Sequence, residues 1–376
     1  MKVYQVGGCV RDYVLNRVAS DIDYVIVGAT QDDIDHLLNT GYKQVGADFP
    51  VFLSPNGSEY ALARVERKTG AGYLGFECRT ENVTLEEDLY RRDFTMNAMA
   101  RDPSSKEIID PYGGMQDLTY GIIRHVSDAF REDPVRVLRA ARFAARYEFS
   151  IHESTVKMIR DMAQDGSLSA LQHNRVMLEI VKAAGGTNSG YFFSALRDCG
   201  AWEPIFGDIP KINSFQERLI NNLVYMSDKD RTMDSIVFGL LFPVAVAEWD
   251  KIQARMVFPS KSFAFAKCLI SEFENFSDIE NLTAEEVVKL YDRVSITNKG
   301  GYDFLNRAYA IVTNMSEASN RSHYLADKCY GAYSCVSAEE VIAEFELQHN
   351  KKPTGLEIKE ALFNARVSAL KKLIGV

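Results

Sequence analysis

The spacing of apolar residues in this chain changes character near residue 126, and that change limits the folds open to it. Before it, short runs rich in β-branched and aromatic residues (Val3–Val6, Tyr24–Val27, Val51–Leu53, Tyr60–Ala63, Ile108–Ile109) are broken by Gly-Gly, Pro-Asn-Gly and Asp-Pro turns. After it, from about Ser127, apolar residues recur at helical spacing and strand signals fade. The expected class is α+β, a mixed-sheet head followed by an all-helical remainder. At 376 residues the chain is too long for one core, so two or three packed modules are expected. Gly185-Gly186 and the turn at Gly207–Pro210 mark breaks within the helical part.

Several functional classes are disfavoured. No run approaches the roughly 18 apolar residues of a membrane span, and the opening Met1–Val6 reads as a first strand, not a leader peptide. The six cysteines (Cys9, Cys78, Cys199, Cys268, Cys329, Cys335) form no CxxC pair. That argues against a zinc site and fits free thiols in a reducing compartment, so a cytoplasmic location is expected. A formal charge of −9 opposes non-specific binding to nucleic acid. A role on RNA therefore requires basic residues concentrated in one place.

The first chemically informative run is Asp21-Ile22-Asp23-Tyr24-Val25-Ile26-Val27. On a strand, alternate side chains share a face, so Asp21 and Asp23 are expected to point the same way. Two carboxylates about 7 Å apart repel each other, and a divalent cation between them relieves the repulsion. Magnesium suits such a pair, because it takes one or two carboxylates and leaves room for phosphates. The same pattern also describes a charged strand end in solvent. Upstream, Gly7-Gly8-Cys9-Val10-Arg11-Asp12 places two glycines between a strand and a helix. Such a turn lets a phosphate approach Gly8 and the helix N-terminus, and Arg11 adds a planar fork for phosphate oxygens. A third carboxylate, Glu59, opens the run Glu59–Arg64 and would share a face with the small Ala61 and Ala63. It reads equally as a solvated strand start after the Pro55-Asn56-Gly57 turn.

The second informative run is Glu132–Arg146. Pro134 suits a first helical turn, and the acids before it lie near the positive helix end. At about 100° per residue from Asp133, Val137, Leu138, Ala141, Ala144 and Ala145 fall between roughly 20° and 140°, whereas Arg136, Arg139, Arg142 and Arg146 fall between roughly 180° and 300°. The polar stripe carries arginine without lysine, unlike an ordinary solvent face, and arginine is favoured where planar contacts to phosphates or bases are made. It supplies the local positive charge that the net charge lacks.

Gly7-Gly8…Asp21-Ile22-Asp23 resembles the catalytic head of the DNA polymerase beta superfamily. With Asp88-Leu89-Tyr90-Arg91-Arg92-Asp93-Phe94-Thr95-Met96-Asn97-Ala98, Asp48–Leu53, Tyr60–Arg64, Ile109–Gly114 and the Glu132–Arg146 helix, the sequence is similar to class II tRNA nucleotidyltransferases, the CCA-adding enzymes. Asn174–Glu179 and Phe193–Gly200 resemble later segments of that family. The match is dense over about the first 205 residues and weak beyond.

The resemblance implies a polymerase-beta-like head at residues 1–126, a helical neck at 127–205, and a helical body and tail at 206–376 that binds tRNA. It implies that Asp21 and Asp23 hold two metal ions, Mg2+ being expected, with Glu59 a further candidate in catalysis. It implies that Asp133 and Arg136 pair with the incoming base, accepting CTP and ATP and rejecting UTP and GTP. A carboxylate accepts from cytosine N4 or adenine N6, and an arginine donates to the neighbouring acceptors. Arg92 and Asp93 of the Arg-Arg-Asp run, with Asn97, are expected on the nucleotide's sugar and phosphate side, and Arg139 and Arg142 on nucleotide or tRNA phosphates. The glycine-rich residues 65–87 read as a flexible segment of the kind that accompanies the change from C to A addition. None of the six histidines is followed by Asp, so no histidine–aspartate phosphohydrolase activity is expected. Tyr, Phe and Met beyond residue 205 are read as core. The alternatives are a poly(A) polymerase, disfavoured because the C-terminus is only mildly basic, a partial CC- or A-adding enzyme, and a non-catalytic RNA-binding protein, disfavoured by the paired aspartates.

Overall fold

The computed structural model describes residues 1–45, 51–68, 76–186, 188–226, 232–294, 301–315 and 320–374. They form two units, Met1–Lys211 and Ile212–Val376.

The first unit is built on a seven-stranded sheet, in which β1 (Lys2–Val6) and β2 (Asp23–Val27) lie at the centre. Beyond β2 come β5 (Glu59–Leu62), β4 (Val51–Leu53) and β3 (Lys43–Val45), and beyond β1 come β8 (Ala100–Arg101) and β9 (Ile108–Ile109). Only the β2–β5 pair is parallel, so the sheet is mixed. Strand alternation decides which residues meet which layer. Val6, Val25, Ala98 and Ala100 pack with Leu85 and Leu89 of helix α3 (Leu85–Tyr90) on one side, and Ile26, Phe52 and Leu62 pack with Leu37 of helix α2 (Gln31–Asn39) on the other. Both helices start in capping boxes, Thr30 with Asp33 and Thr84 with Glu87, each satisfying two otherwise orphaned backbone donors.

Within residues 65–87, expected as a flexible segment, two short runs form strands. They pair as β6 (Val65–Lys68) and β7 (Phe76–Arg79), antiparallel with Val65 opposite Arg79, and α3 follows. A two-stranded ladder satisfies backbone groups that a free loop leaves to water. Residues 69–75, where the glycines concentrate, lie outside the described residues, as do Asp48, Phe49 and Pro50 of the expected Asp48–Leu53 motif.

Helix α1 (Gly8–Val14) follows β1, and helix α4 (Gly114–Tyr120) follows β9. The Asp110 carboxylate caps α4, accepting from the backbone N–H groups of Gly114 at 2.7 Å and Met115 at 2.8 Å. Gly114 presses directly on the segment Thr95–Asn97, and the Thr95 hydroxyl donates to Asp117 Oδ2 at 2.6 Å.

Strands do not end with the head. The helical part of this unit holds a small parallel pair, β10 (Ile122–Ile123) with β11 (Ser150–Ile151). The chain is returned to β10 by Glu148, which ends helix α5 (Val135–Tyr147) in the left-handed region at φ 57°. Helices α6 (Glu153–Gln164), α7 (His173–Ala184), α8 (Ser189–Asp198) and α9 (Trp202–Phe206) complete the unit. Gly185 caps α7, and Gly207 follows α9 at φ 59°, so both expected glycine breaks fall at helix ends. Among its neighbours α5 packs most extensively on α8 and α7, and Ala140, Ala141, Ala144 and Ala145 are buried in that interface region. Small side chains allow helices to approach closely.

The second unit is helical throughout its described residues, from Ser214–Met226 to Gly355–Ile374. Phe238, Trp249, Phe276, Tyr291, Tyr309 and Tyr333 are fully buried, as expected of core aromatics, whereas Phe215, Tyr302 and Tyr324 are exposed. Among the described residues no helix is long and apolar enough to cross a membrane.

A Cβ on Gly114 would lie 2.3 Å from the Thr95 carbonyl oxygen, a backbone atom that cannot rotate away. Gly114→Ala is therefore expected to destabilise the first unit by about 3 kcal/mol. Urea denaturation followed by circular dichroism measures this, and an unchanged midpoint would contradict the packing described.

Candidate active site

The site begins where β1 leaves the sheet. Val6 of β1 lies opposite Asp23 of β2, and the next residue, Gly7, turns away at φ 73° to start α1. Only glycine adopts this conformation without strain, and a Cβ here would also meet Arg92 Nη1 at 3.1 Å. With β1 gone, β2 has no partner before Asp23 on that side, so the strand starts there. Asp21 is consequently not a strand residue, contrary to expectation. It sits in the exposed approach to β2, where the Ser20 hydroxyl donates to it at 2.9 Å. The two carboxylates remain close enough to interact. Burial pushes the Asp23 carboxyl above its ordinary pKa, the Arg92 guanidinium opposes this, and the Asp21 charge adds to the upward push.

Glu59 opens β5 one residue before the Tyr60–Tyr24 pair, and so stands level with Asp23 on the neighbouring parallel strand. It is exposed and does not line the cavity described below. Among the described residues no three His, Cys, Asp or Glu side chains cluster as metal ligands, so any cation site here rests on the two aspartates. That donor set suits a hard cation that completes its shell with water and phosphate oxygens.

Four arginines anchor this corner through acids and an amide. Asp88, a buried residue of α3, accepts from Arg91 Nη2 at 2.8 Å and Arg92 Nη2 at 3.1 Å. Burial raises its pKa, but Arg92 and Arg91 outweigh that and hold it below the ordinary carboxylate range. Arg11, also buried, donates from Nη1 to Asn97 Oδ1 at 2.7 Å and from Nη2 to Asp12 at 2.9 Å, under the rings of Phe143 and Tyr147. Asn97 Nδ2 in turn donates to Asp93 Oδ1 at 3.0 Å, and Arg139 Nε donates to Asp93 Oδ2 at 2.7 Å. A continuous polar chain therefore runs from α1 to α5.

Helix α5 supplies the opposite wall. Asp133, just before it, accepts from the Val135 backbone N–H at 3.1 Å and from both terminal nitrogens of Arg175 on α7, each at 3.2 Å. Arg136 donates to the carbonyls of Ala129 at 2.7 Å and Arg91 at 2.8 Å. Arg142 forms a buried ion pair with Glu179 at 2.6 Å, and Glu179 also accepts from Lys182 at 3.2 Å. Burial raises the Glu179 pKa, but Arg142 and Lys182 hold it below its ordinary range.

These walls enclose a cavity of about 580 Å³, within the size range of small-molecule sites. Of its eighteen lining residues eight are Arg or Lys and four are Asp or Glu. In a chain of net charge −9, this is a local positive field suited to a polyphosphate.

Residues 3–124 match the family model described as the poly A polymerase head domain. The resemblance drawn from the motifs, to class II CCA-adding enzymes, stands alongside it. The chain is 50% identical over 220 residues to a multifunctional CCA protein of Neisseria gonorrhoeae (strain NCCP11945), a match covering 58% of this chain and 53% of that protein. It thus spans about half the length of the curated relatives it matches. A solved structure of a CCA-adding enzyme in its apo form II aligns over 99% of this chain and 91% of that one, with a TM-score of 0.73 at 21% identity. The Thermotoga maritima CCA-adding enzyme complexed with tRNA aligns over 100% and 87%, with a TM-score of 0.70 at 22% identity. The expected α+β class, a mixed-sheet head with a helical remainder, is the fold observed.

Of the residues singled out by the motifs, the sheet and the helices of the first unit bring Gly8, Arg11, Asp23, Arg92, Asp93, Asn97, Asp133, Arg136, Arg139 and Arg142 together on one cavity. Asp21 and Glu59 do not line it. Three of these arginines on the cavity wall are held by acids. Arg11, Arg139 and Arg142 already have carboxylate partners (Asp12, Asp93 and Glu179), because buried guanidinium groups without counter-charges are costly. Sequence reasoning gave no part in the cavity to Arg175, Leu178, Glu179 and Lys182, which line it from α7. Their spacing of three, four and seven residues is the signal of one helix face. The spacing of Asp88 and Arg92, four apart on a helix, is likewise a legible pair.

Glu179→Gln would leave Arg142 buried without its counter-charge and is expected to cost about 3 kcal/mol of unfolding free energy. Arg142→Met in the same chain should recover much of that loss. A double-mutant cycle in urea measures the coupling, and additive effects would mean the pair does not carry the α5–α7 interface.

Proposed function

We propose that the protein is a tRNA nucleotidyltransferase that adds CCA to tRNA 3′ ends from CTP and ATP without a nucleic-acid template. The observation that carries this reading is that one positively charged cavity is lined both by Asp23 and the Gly7-Gly8 turn and by Asp133 and Arg136. The similarity to proteins named CCA protein and CCA-adding enzyme supports it.

In this reading the incoming nucleotide lies across the cavity. Gly8 and the start of α1 admit its phosphates, Arg92 and Asp93 face its sugar and phosphates, and Asn97 holds Arg11 and Asp93 in place. Asp133 accepts from the amino group of cytosine or adenine while Arg136 donates to the adjacent ring acceptor. Uracil and guanine present the opposite pattern and leave buried groups unpaired, which is costly. Arg139 and Arg142 act through their ion pairs, shaping the wall and its field. The tRNA 3′-hydroxyl oxygen forms a bond to the α-phosphorus as the bond to the bridging oxygen breaks, and pyrophosphate departs. Asp21 and Asp23 would hold two divalent metal ions, Mg2+ in this reading, which would supply Lewis-acid stabilisation of the developing charge. Glu59, level with Asp23 but exposed, is at most an auxiliary group.

In this reading the catalytic head spans 1–126, a base-reading neck 127–205 and a tRNA-binding body and tail 206–376, the last start lying close to the division between residues 211 and 212. A cytoplasmic location is part of this reading, in keeping with the substrate and with cysteines that form no CxxC pair.

Incubation with tRNA lacking its 3′ CCA and a mixture of CTP and ATP should extend the RNA by three nucleotides. Long A tracts would instead indicate a poly(A) polymerase. Asp23→Ala is expected to lower the rate of addition at least about 10³-fold, within the range attributed to electrostatic and metal contributions, with tRNA affinity little changed. An active Asp23→Ala enzyme would place the cation elsewhere.

A further inference from the structure

We propose that Arg175 of α7 is a specificity-determining residue that fixes the plane of the Asp133 carboxylate and so decides which base edge it accepts. The inference rests on the reading that Asp133 recognises the base.

The two side chains meet fork to fork, Nη1 with Oδ1 and Nη2 with Oδ2, both at 3.2 Å. A bidentate contact of this kind sets orientation as well as attraction. The Val135 N–H adds a third donor, to Oδ1. An ionised carboxylate offers about four lone-pair positions, so these contacts direct the remaining one, on Oδ2, along a single line. A base amino group on that line is accepted, and a base carbonyl there faces a carboxylate oxygen.

Packing does not require this pair. Both side chains are about one-third exposed, at 35% and 29%, and exposed ion pairs contribute little to stability. The buried Arg142–Glu179 pair already ties α5 to α7. Arg175 also stands on the cavity wall itself, on the same α7 face as Leu178 and Glu179. A lysine there would supply charge without a planar fork.

The test is equilibrium binding of CTP, ATP, UTP and GTP, with Mg2+ and without tRNA, to the full chain and to its Arg175→Lys and Arg175→Gln variants, alongside their melting temperatures. The wild type should prefer CTP over UTP. Arg175→Gln should reduce that preference about tenfold, the scale of one lost polar discrimination, at an unchanged melting temperature. Arg175→Lys should fall between the two. An unchanged preference in Arg175→Gln would overturn the inference alone. So would an equal loss for all four nucleotides, which would mark Arg175 as a phosphate contact. A wild type without preference would overturn it together with the base-reading role of Asp133.

Discussion

A buried carboxylate, Asp93, holds the two walls of the cavity together. It accepts from Asn97, which is gripped by Arg11 of α1, and from Arg139 of α5. Burial alone would drive Asp93 toward its neutral form, yet Arg139 and Asn97 keep its pKa below the ordinary carboxylate range. The amide of Asn97 is oriented by chemistry, since its oxygen must face a donor and its nitrogen an acceptor. Neither leucine nor aspartate could serve both neighbours. The glycine turn after β1 and the arginine face of α5 are thus set at a fixed separation by polar contacts that lose their stabilisation if any one member is missing.

That chain also explains how a protein with net charge −9 assembles eight basic residues around one space. Parallel guanidinium groups repel, and the repulsion grows as water is excluded. Here each deeply placed arginine carries its own acid: Arg11 with Asp12, Arg139 with Asp93, and Arg142 with Glu179. The pairs reduce mutual repulsion and lock rotamers, and excess positive charge is left with exposed lining residues such as Arg146. The result is a rigid wall whose field attracts an anion without an unpaired charge in its depth.

Much of this was legible in the sequence, for identifiable reasons. The central strands could be read because Val25 and Ile26 alternate between two apolar layers, and α5 because its alanines and arginines separate cleanly at 100° per residue. The strand origin of Asp21 was misjudged because alternation cannot reveal where a partner strand departs. That point is set by the backbone of Gly7, 14 residues earlier in the chain. The β6–β7 pair and the two-residue strands β10 and β11 escaped because they are short and polar or lie between helices. The contribution of α7 was missed for a different cause. Arg175 and Glu179 have the spacing of an ordinary solvated helix face, and only their partners, Asp133 and Arg142, distinguish them.

The departure of β1 at Gly7 does more than shorten β2. It exposes the Asp23 end of the central strand at the same point where α1 presents its N-terminal turn, so a carboxylate and the positive end of a helix become neighbours. A polyphosphate entering this corner meets backbone N–H groups and Arg92 on one side and repelling carboxylates on the other. The repulsion between Asp21 and Asp23 already disfavours a second bare charge. In the proposed reading, anion and cation would each lower the cost of the other's binding at this corner, since each offsets the repulsion that the other meets.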